Sequence, residues 1–392
     1  MMNLEKRVKR HIVAQRHHFF AACAPGFEYL CRRELEALSE TLTVQTTTRG
    51  GVLFSGRMSD LYLANLHVRT GGRILMRVGA FSATNFRKLA KQIQDLPWEL
   101  YLPPGTVPRC KSTTYRSRLH HTQAIDECVG TSVAARWQVL NVPAQGPLEQ
   151  TLHVRIEQDN VTLSLDSSGA NLYQRGIKTH HTAAPLRETL AAGILMLAGY
   201  RPEHPLLDPM CGSGTFSLEA ALAAKGIPAG WYRTFAFMQW PCYRNAQWHH
   251  IRSQAAARMS VGEWGPIIAS DQNTEYCRLL ADCITANNLD DAVTVTCRDF
   301  FDLQRQDLPF PPGLVVLNPP YGRRLTPDDP TRAFYKRIGG HLQSIFGGWQ
   351  AALIVPHPDF AKLMPFAVSP HTLIHGGLQL TLLVGTIPSF TP

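Results

Sequence analysis

Two short stretches of the chain carry residue types that could do chemistry together. The first is Leu206-Leu207-Asp208-Pro209-Met210-Cys211-Gly212-Ser213-Gly214-Thr215-Phe216-Ser217. It reads as a buried strand ending at Asp208, a tight glycine turn, and a helix starting near Thr215. Gly212 and Gly214 allow positive φ and keep side chains out of the space between backbone and ligand. The N-terminus of the helix beyond them offers unpaired N–H groups, which suit an anion such as a carboxylate or phosphate. Asp208 can accept from a ligand amine or hydroxyl at the carboxyl end of the strand, where doubly wound sheets bind their ligands. A dinucleotide reading is weaker, because the third small position of G-x-G-x-x-G/A falls on Ser217. The plain alternative is a glycine-containing turn with no ligand.

The second stretch is Leu314-Val315-Val316-Leu317-Asn318-Pro319-Pro320-Tyr321-Gly322. The two prolines cannot donate to a ladder, so the strand stops there and the turn is held rigid. Asn318 presents a side-chain carbonyl, and the Pro319 carbonyl can converge with it on the two hydrogens of an –NH2 group. Tyr321 supplies a face on which a planar base can stack. Such a site suits methylation of an exocyclic amine. That nitrogen is a poor nucleophile because its lone pair is delocalised into the ring. Acceptors on its hydrogens localise the pair and stabilise the positive charge that builds in the transition state. Asn318, Pro319, Pro320 and Tyr321 are therefore the catalytic candidates.

Together, Asp208-Pro209-Met210-Cys211-Gly212-Ser213-Gly214-Thr215 and Asn318-Pro319-Pro320-Tyr321-Gly322 resemble the S-adenosylmethionine-dependent RNA guanine-N2 methyltransferases that carry a THUMP domain, above all the bacterial 23S rRNA group. The resemblance runs over nearly the whole chain. It implies an α/β, Rossmann-like class I methyltransferase domain with a seven-stranded sheet whose last strand is antiparallel. An α+β ferredoxin-like and THUMP region would precede it. It implies S-adenosyl-L-methionine as cofactor, held by Asp208, Pro209, Gly212, Ser213, Gly214, Thr215 and Asn318. Thr182 and Ala183 would lie in a loop over its methionine end. Asp299 would accept from the adenine amino group, with Phe300 near the ring. Asp271 ends the buried strand Ile267-Ile268-Ala269-Ser270-Asp271, where a carboxylate can take ribose hydroxyls.

Composition bounds the partners. The chain has 392 residues, 44% of them hydrophobic and 18% charged, which fits a multidomain globular protein. No apolar run approaches the ~18 residues of a spanning helix, and Phe19 to Ala24 is too short for a signal-peptide core. A cytoplasmic protein without a membrane partner is expected. The nine cysteines form no C-x-x-C pair, so reduced thiols are expected. The adjacent His pairs at 17–18, 120–121, 180–181 and 249–250 lack the spacing and companions of a metal site, so no metal is expected. The net charge of +9 lies wholly in residues 1–180, which hold 23 Lys+Arg against 14 Asp+Glu. Residues 181–392 hold 16 of each. A basic front half suits a polyanion.

In chain order, residues 1–16 read as a basic arm, either disordered or a short helix that forms on RNA. Residues 17–82 follow a β-α-β-β-α-β pattern, ferredoxin-like, with a helix from Pro25 through Leu38. Residues 83–168 correspond to the THUMP domain and include a hairpin about Asp159-Asn160. Its candidate RNA phosphate contacts are Lys111, Arg116, Arg118, His120, His121 and Arg136. Residues 169–392 form the methyltransferase domain, entered through Arg175-Gly176. Its insert, 226–265, holds Trp231, Phe235, Phe237, Trp240, Trp248 and Trp264. That insert is either a base platform or, on the favoured reading, local core. Arg323 and Arg324 are placed for target-strand phosphates.

The resulting reading is methyl transfer to the exocyclic N2 of a guanosine, in rRNA first and tRNA second. The target base must leave its stack to reach Asn318 and Tyr321. Rivals are an adenine-N6 methyltransferase acting on DNA and a non-catalytic RNA-binding assembly protein. Some relatives continue into a second methyltransferase, for which a chain ending at Pro392 has no room.

Overall fold

The computed structural model describes residues 4–144, 150–178, 186–259, 263–308, 310–320 and 330–390. The chain forms two compact units. The first comprises residues 1–23, 31–172 and 233–253; the second comprises 24–30, 173–232 and 254–392.

The first unit is built on one seven-stranded sheet. Its strands are β1 (His17–Cys23), β2 (Thr43–Thr48), β3 (Gly51–Gly56), β4 (Gly71–Ser82), β5 (Arg109–Tyr115), β6 (Thr151–Glu157) and β7 (Asn160–Asp166), in the order β2-β3-β1-β4-β7-β6-β5. The four ferredoxin-like strands do not close a sheet of their own. β4 pairs antiparallel with β7, from Leu75 opposite Asp166 to Ser82 opposite Asn160. The strands expected for two domains therefore share one ladder. The β6–β7 hairpin turns on Gln158 and Asp159, both at positive φ (50° and 62°), one residue earlier than the sequence suggests. This is the two-residue geometry that matches strand twist. The helix expected from Pro25 starts at Glu28, after Gly26 at φ +96°, and ends at Glu36.

The basic arm is neither a loose tail nor unstructured in its described part. Leu4–Val8 is helical and Lys9–Val13 is a π-type turn. Val8 and Ile12 are buried, and Arg7 reaches Glu99 at 2.7 Å. Two apolar anchors four residues apart on one helical face hold the arm down.

The aromatic insert resolves in favour of core. Residues 233–253 cluster with the first unit, not with the domain whose sequence they interrupt. Phe237 stacks on Tyr62 at 4.6 Å, and Trp248 meets Tyr62, Phe235 and Phe237 edge-on. Gln150, buried, accepts from the Trp240 indole at 2.8 Å and donates to the Ala236 carbonyl at 3.2 Å. Trp231 and Trp264 pack instead on the core of the second unit.

The second unit carries β8 (Leu206–Asp208), β9 (Ile267–Asp271), β10 (Val293–Cys297), β11 (Leu314–Leu317), β12 (Gln350–Val355), β13 (Ser369–His375) and β14 (Leu378–Thr386). Their order is β10-β9-β8-β11-β12-β14-β13. Only β14 runs against the rest. All four residues of β11 are buried. Leu314 and Val316 face one core cluster, Val315 and Leu317 the other, as a strand covered on both faces requires. The chain winds outward from β8 in one direction and from β11 in the other. The crevice between their carboxyl ends is the switch point where such sheets take ligands.

Candidate active site

The turn after β8 is shaped by its glycines. Gly214 sits at φ +69° as the residue before the helix Thr215–Ala224. A Cβ there would lie 2.3 Å from Leu280 Cδ1, so no larger residue fits. Gly212, at φ +51°, is different: a Cβ would meet nothing within 4 Å. Its missing side chain leaves open space on the side of the crevice. The Gly212 N–H donates to Asp271 Oδ2 at 3.0 Å, which ties the turn to the end of β9. Asp271 Oδ1 accepts from the Asn273 N–H at 2.9 Å. Each Asp271 oxygen retains a lone pair for a hydroxyl donor.

A cavity of about 510 Å³ opens at these strand ends. Pro209, Met210 and Gly212 line it from the β8 turn, and Asp271, Gln272, Asn273 and Tyr276 from the end of β9. Asp299, Phe300 and Phe301 follow β10; Asn318 and Pro320 follow β11. Phe334 and Arg337 come from the helix Pro330–Ile345. Of the residues expected at the cofactor, Pro209, Gly212, Asp271, Asp299, Phe300 and Asn318 thus meet in one cavity. Ser213, Gly214 and Thr215 form the turn and helix start behind it. Thr182, Ala183, Tyr321, Arg323 and Arg324 lie outside the described residues.

Asp208 is placed differently from the expectation. It is 1% exposed and does not line the cavity. Its Oδ2 accepts from the Ser217 hydroxyl at 2.8 Å and the Ser217 N–H at 3.3 Å, while Oδ1 has no partner. Burial pushes its carboxyl up to about 7. The Ser217 bonds oppose that shift, the nearby Asp271 charge adds to it, and Lys178 opposes it. A buried carboxylate at the start of a helix organises the turn from behind.

Asp299 Oδ1 accepts from the Phe301 N–H at 2.8 Å, so it caps the short turn Phe300–Asp302 while its side chain borders the cavity. Phe300 is 2% exposed, its ring set edge-on to His341 and Phe301. The more open ring is Phe301, with the Arg337 guanidinium 3.7 Å from its centroid. Sequence reasoning missed Phe301 and Arg337. The doubled phenylalanine and the Phe334/Arg337/His341 spacing on one helical face were the signals available. Asn318 ends β11 with its side-chain oxygen buried and unpartnered. An orphaned acceptor at a cavity wall is costly unless a ligand satisfies it.

The RNA candidates fall into two groups. Lys111 is exposed in the first half of β5, and Arg116, Arg118, His120 and His121 are exposed in the segment that follows it. Arg118 also pairs with Asp159 at 3.7 Å. Arg136 does not belong with them: it reaches Glu99 Oε1 at 3.1 Å, beside Arg7. Burial works against ionising Glu99, but the Arg136 and Arg7 bonds outweigh it and hold its carboxyl below the usual range.

The cavity suits a nucleoside-sized ligand. Its volume falls in the range of small-molecule sites. Asp271 and Asp299 offer acceptors for hydroxyl and amine groups, and Phe301 offers an aromatic face. Among the described residues, no group of three or more His, Cys, Asp and Glu could hold a metal, and no helix is long and apolar enough to cross a membrane.

Comparison with known proteins bears on the family and the fold. Residues 175–372 match a family model described as an RMKL-like methyltransferase domain, and residues 18–75 match an RlmL ferredoxin-like domain. The ribosomal RNA large subunit methyltransferase K/L of Cellvibrio japonicus is 32% identical over 395 residues, covering 95% of this chain and 51% of that protein. The chain thus spans about half the length of such relatives. A Synechocystis protein, slr0064, provisionally named an RNA methyltransferase, is 30% identical over 93% of this chain and 95% of its own length. The solved structure of SMU.472, provisionally described as a methyltransferase, holds SAH; it superposes with a TM-score of 0.84 at 26% identity, covering 96% of this chain and 99% of that one. A Listeria monocytogenes protein described as a predicted N6-adenine-specific DNA methylase gives a TM-score of 0.85 at 26% identity, covering 100% and 99%. The chain belongs to the RMKL-like methyltransferase family.

Proposed function

We propose that this protein methylates the exocyclic N2 amine of a guanosine in RNA, with large-subunit ribosomal RNA as the substrate. The observation that carries this reading is Asn318. Its side-chain oxygen is buried, lacks a partner and sits at the cavity beside Pro320. An amine hydrogen supplies what that oxygen lacks. The bound donor provides a methyl group on a sulfonium centre. Asn318 accepts from the amine, localises its lone pair and stabilises the charge that builds on nitrogen. The proline pair keeps the acceptor fixed, so little reorganisation accompanies reaction. No enzyme-bound covalent intermediate is needed.

The choice of RNA rests on the names of the K/L relatives and slr0064 and on the basic front half of the chain. Residues 17–82 and 83–168 act in this reading as ferredoxin-like and THUMP modules, and 169–392 as the catalytic domain of a cytoplasmic enzyme. Thr182 and Ala183 cover the donor; Tyr321 stacks on the target base; Arg323 and Arg324 meet its strand.

The test is methyl transfer from labelled S-adenosylmethionine to separated tRNA, small-subunit rRNA, large-subunit rRNA and duplex DNA, with nucleoside analysis. The expected product is N2-methylguanosine in large-subunit rRNA. Asn318→Ala is expected to lower kcat by about 10²–10³-fold, the usual cost of one transition-state hydrogen-bond partner. Label in N6-methyladenine would retain the site chemistry and overturn the substrate, in line with the description of the Listeria protein.

A further inference from the structure

Lys178 has an unusual position. Its side chain is 6% exposed, yet its ammonium lies at the start of the helix Thr215–Ala224. A cation at the positive end of a helix weakens that helix. Burying an ammonium adds a desolvation cost. Stability of the helix does not explain such a residue.

Its partners do. The Lys178 ammonium donates to Thr215 Oγ1 at 2.6 Å and more distantly to Ser213 Oγ at 3.4 Å, and pairs with Glu188 Oε1 at 3.2 Å. An ammonium has three hydrogens and no acceptor. Each hydroxyl it reaches must therefore use a lone pair to receive it, which turns the hydroxyl hydrogen elsewhere. For Thr215 the destination is visible: Oγ1 donates to the Leu186 carbonyl at 3.3 Å. Among the described residues Ser213 meets no such carbonyl; its other contact there is Thr215 Oγ1 at 3.5 Å, an oxygen already engaged by Lys178 and Leu186. Ser213 adjoins Gly212, whose α-carbon faces the open space of the cavity.

We infer that Lys178 is a positioning residue for the amino-acid end of the methyl donor: held by Glu188, it fixes Ser213 as a hydroxyl donor toward the donor's carboxylate. The inference rests on S-adenosylmethionine as the cofactor. The carboxylate is the anionic group of that molecule, and it takes a hydrogen bond from Ser213 at the turn. Arg337, the cation that lines the cavity among the described residues, lies on Phe301, on the side of the acceptors suited to adenosine.

The test separates the two ends of the ligand. Calorimetric titration compares S-adenosylhomocysteine with methylthioadenosine, which keeps the nucleoside and lacks the amino acid. Lys178→Ala and Ser213→Ala are each expected to weaken S-adenosylhomocysteine by about 10- to 100-fold, the loss of one charge-assisted hydrogen bond. Methylthioadenosine affinity should stay within about twofold. The double variant should be no weaker than the worse single, because both act through one bond. Lys178→Arg should recover part of the loss. Ser213→Ala, which removes one turn hydroxyl only, carries the test if Lys178→Ala fails to fold. Equal losses for both ligands would make Lys178 merely structural, and undiminished S-adenosylhomocysteine binding would sink the idea. A selective loss in Arg337→Ala alone would move the carboxylate to the other end and overturn it too. Failure of the unaltered protein to bind S-adenosylhomocysteine would instead remove the cofactor assignment beneath it.

Discussion

The front of the chain and the strand ends of the second unit use polar groups in opposite ways. Residues 1–180 hold all the excess positive charge. Several of its cations are nonetheless engaged: Arg7 and Arg136 share Glu99, Arg73 pairs with Asp166, and Arg155 with Glu157. Residues 181–392 have no net charge, yet Asp208 and Asn318, ending the central strands β8 and β11, each keep a buried oxygen without a partner. A charge total counts side chains without saying which are engaged. An unpartnered buried oxygen is a local fact with a local cost, and it points more directly to chemistry.

The sharpest way to break this contrast is at a buried pair in the second unit. Arg175 donates to Glu219 through Nε at 2.8 Å and Nη2 at 3.2 Å, with both side chains 1% exposed. The pair joins the segment entering the unit to the helix after the glycine turn. Arg175→Ala is expected to cost about 3–5 kcal/mol, because the buried Glu219 carboxylate loses its guanidinium. Replacing both by apolar residues of similar volume, Arg175→Met with Glu219→Leu, should recover most of it. Urea unfolding of the three proteins measures this. A single variant costing less than about 1 kcal/mol, the value of an exposed pair, would show that the site is wet.

A smaller effect is expected at Asp208. Its carboxyl is raised from 3.8 to about 7, chiefly by burial. The folded state therefore holds a proton that the unfolded state has released between those two values. Stability contributed by the protonated form is full below the unfolded value and falls as pH rises toward about 7. Asp208→Asn keeps the neutral shape and cannot ionise. Its melting temperature should decline less than that of the unaltered protein between pH 4 and pH 7. Equal slopes for the two proteins would mean that Asp208 remains ionised in the fold, held by Ser217 and Lys178.

How much of this was legible follows from the range of the forces involved. The Gly212/Gly214 turn, the β11 stop at Asn318-Pro319 and the β9 end at Asp271 are set by neighbours in sequence, and they meet in the cavity. The seven strands and the antiparallel last one follow from the resemblance, while their order is seen only in the structure. What was not legible depends on partners far along the chain. Arg136 and Glu99 are 37 residues apart, and nothing local marks them as a pair. The Trp248 insert packs on Tyr62, 186 positions earlier. Phe301 rather than Phe300 carries the open ring because the helix Pro330–Ile345 covers one and brings Arg337 to the other. Asp208 reads as a ligand contact from its place at a strand end; the sequence does not show that Ser217, nine residues on, holds its Oδ2 while Oδ1 keeps no partner.

The smallest predicted effect tests the charge argument itself. Lys111 and Arg136 are equal entries in a charge count, but they differ in surroundings. Lys111 is exposed, and no ion pair or side-chain hydrogen bond engages it among the described residues. Arg136 is held on the buried Glu99 carboxylate. If RNA is the partner, Lys111→Ala should weaken RNA binding and reduce the slope of log affinity against log salt by about 1, with little change in melting temperature. Arg136→Ala should lower stability by about 2 kcal/mol, the scale of a hydrogen bond to a charged group, and leave the salt slope unchanged. Filter binding of the two variants to large-subunit rRNA fragments at several salt concentrations, beside thermal unfolding, separates the two outcomes. A reduced salt slope in Arg136→Ala would mean that RNA draws this arginine off Glu99. The matched pairs of the first unit would then be exchangeable sites for phosphate rather than structure, and the contrast between the two regions would be one of occupancy instead of kind.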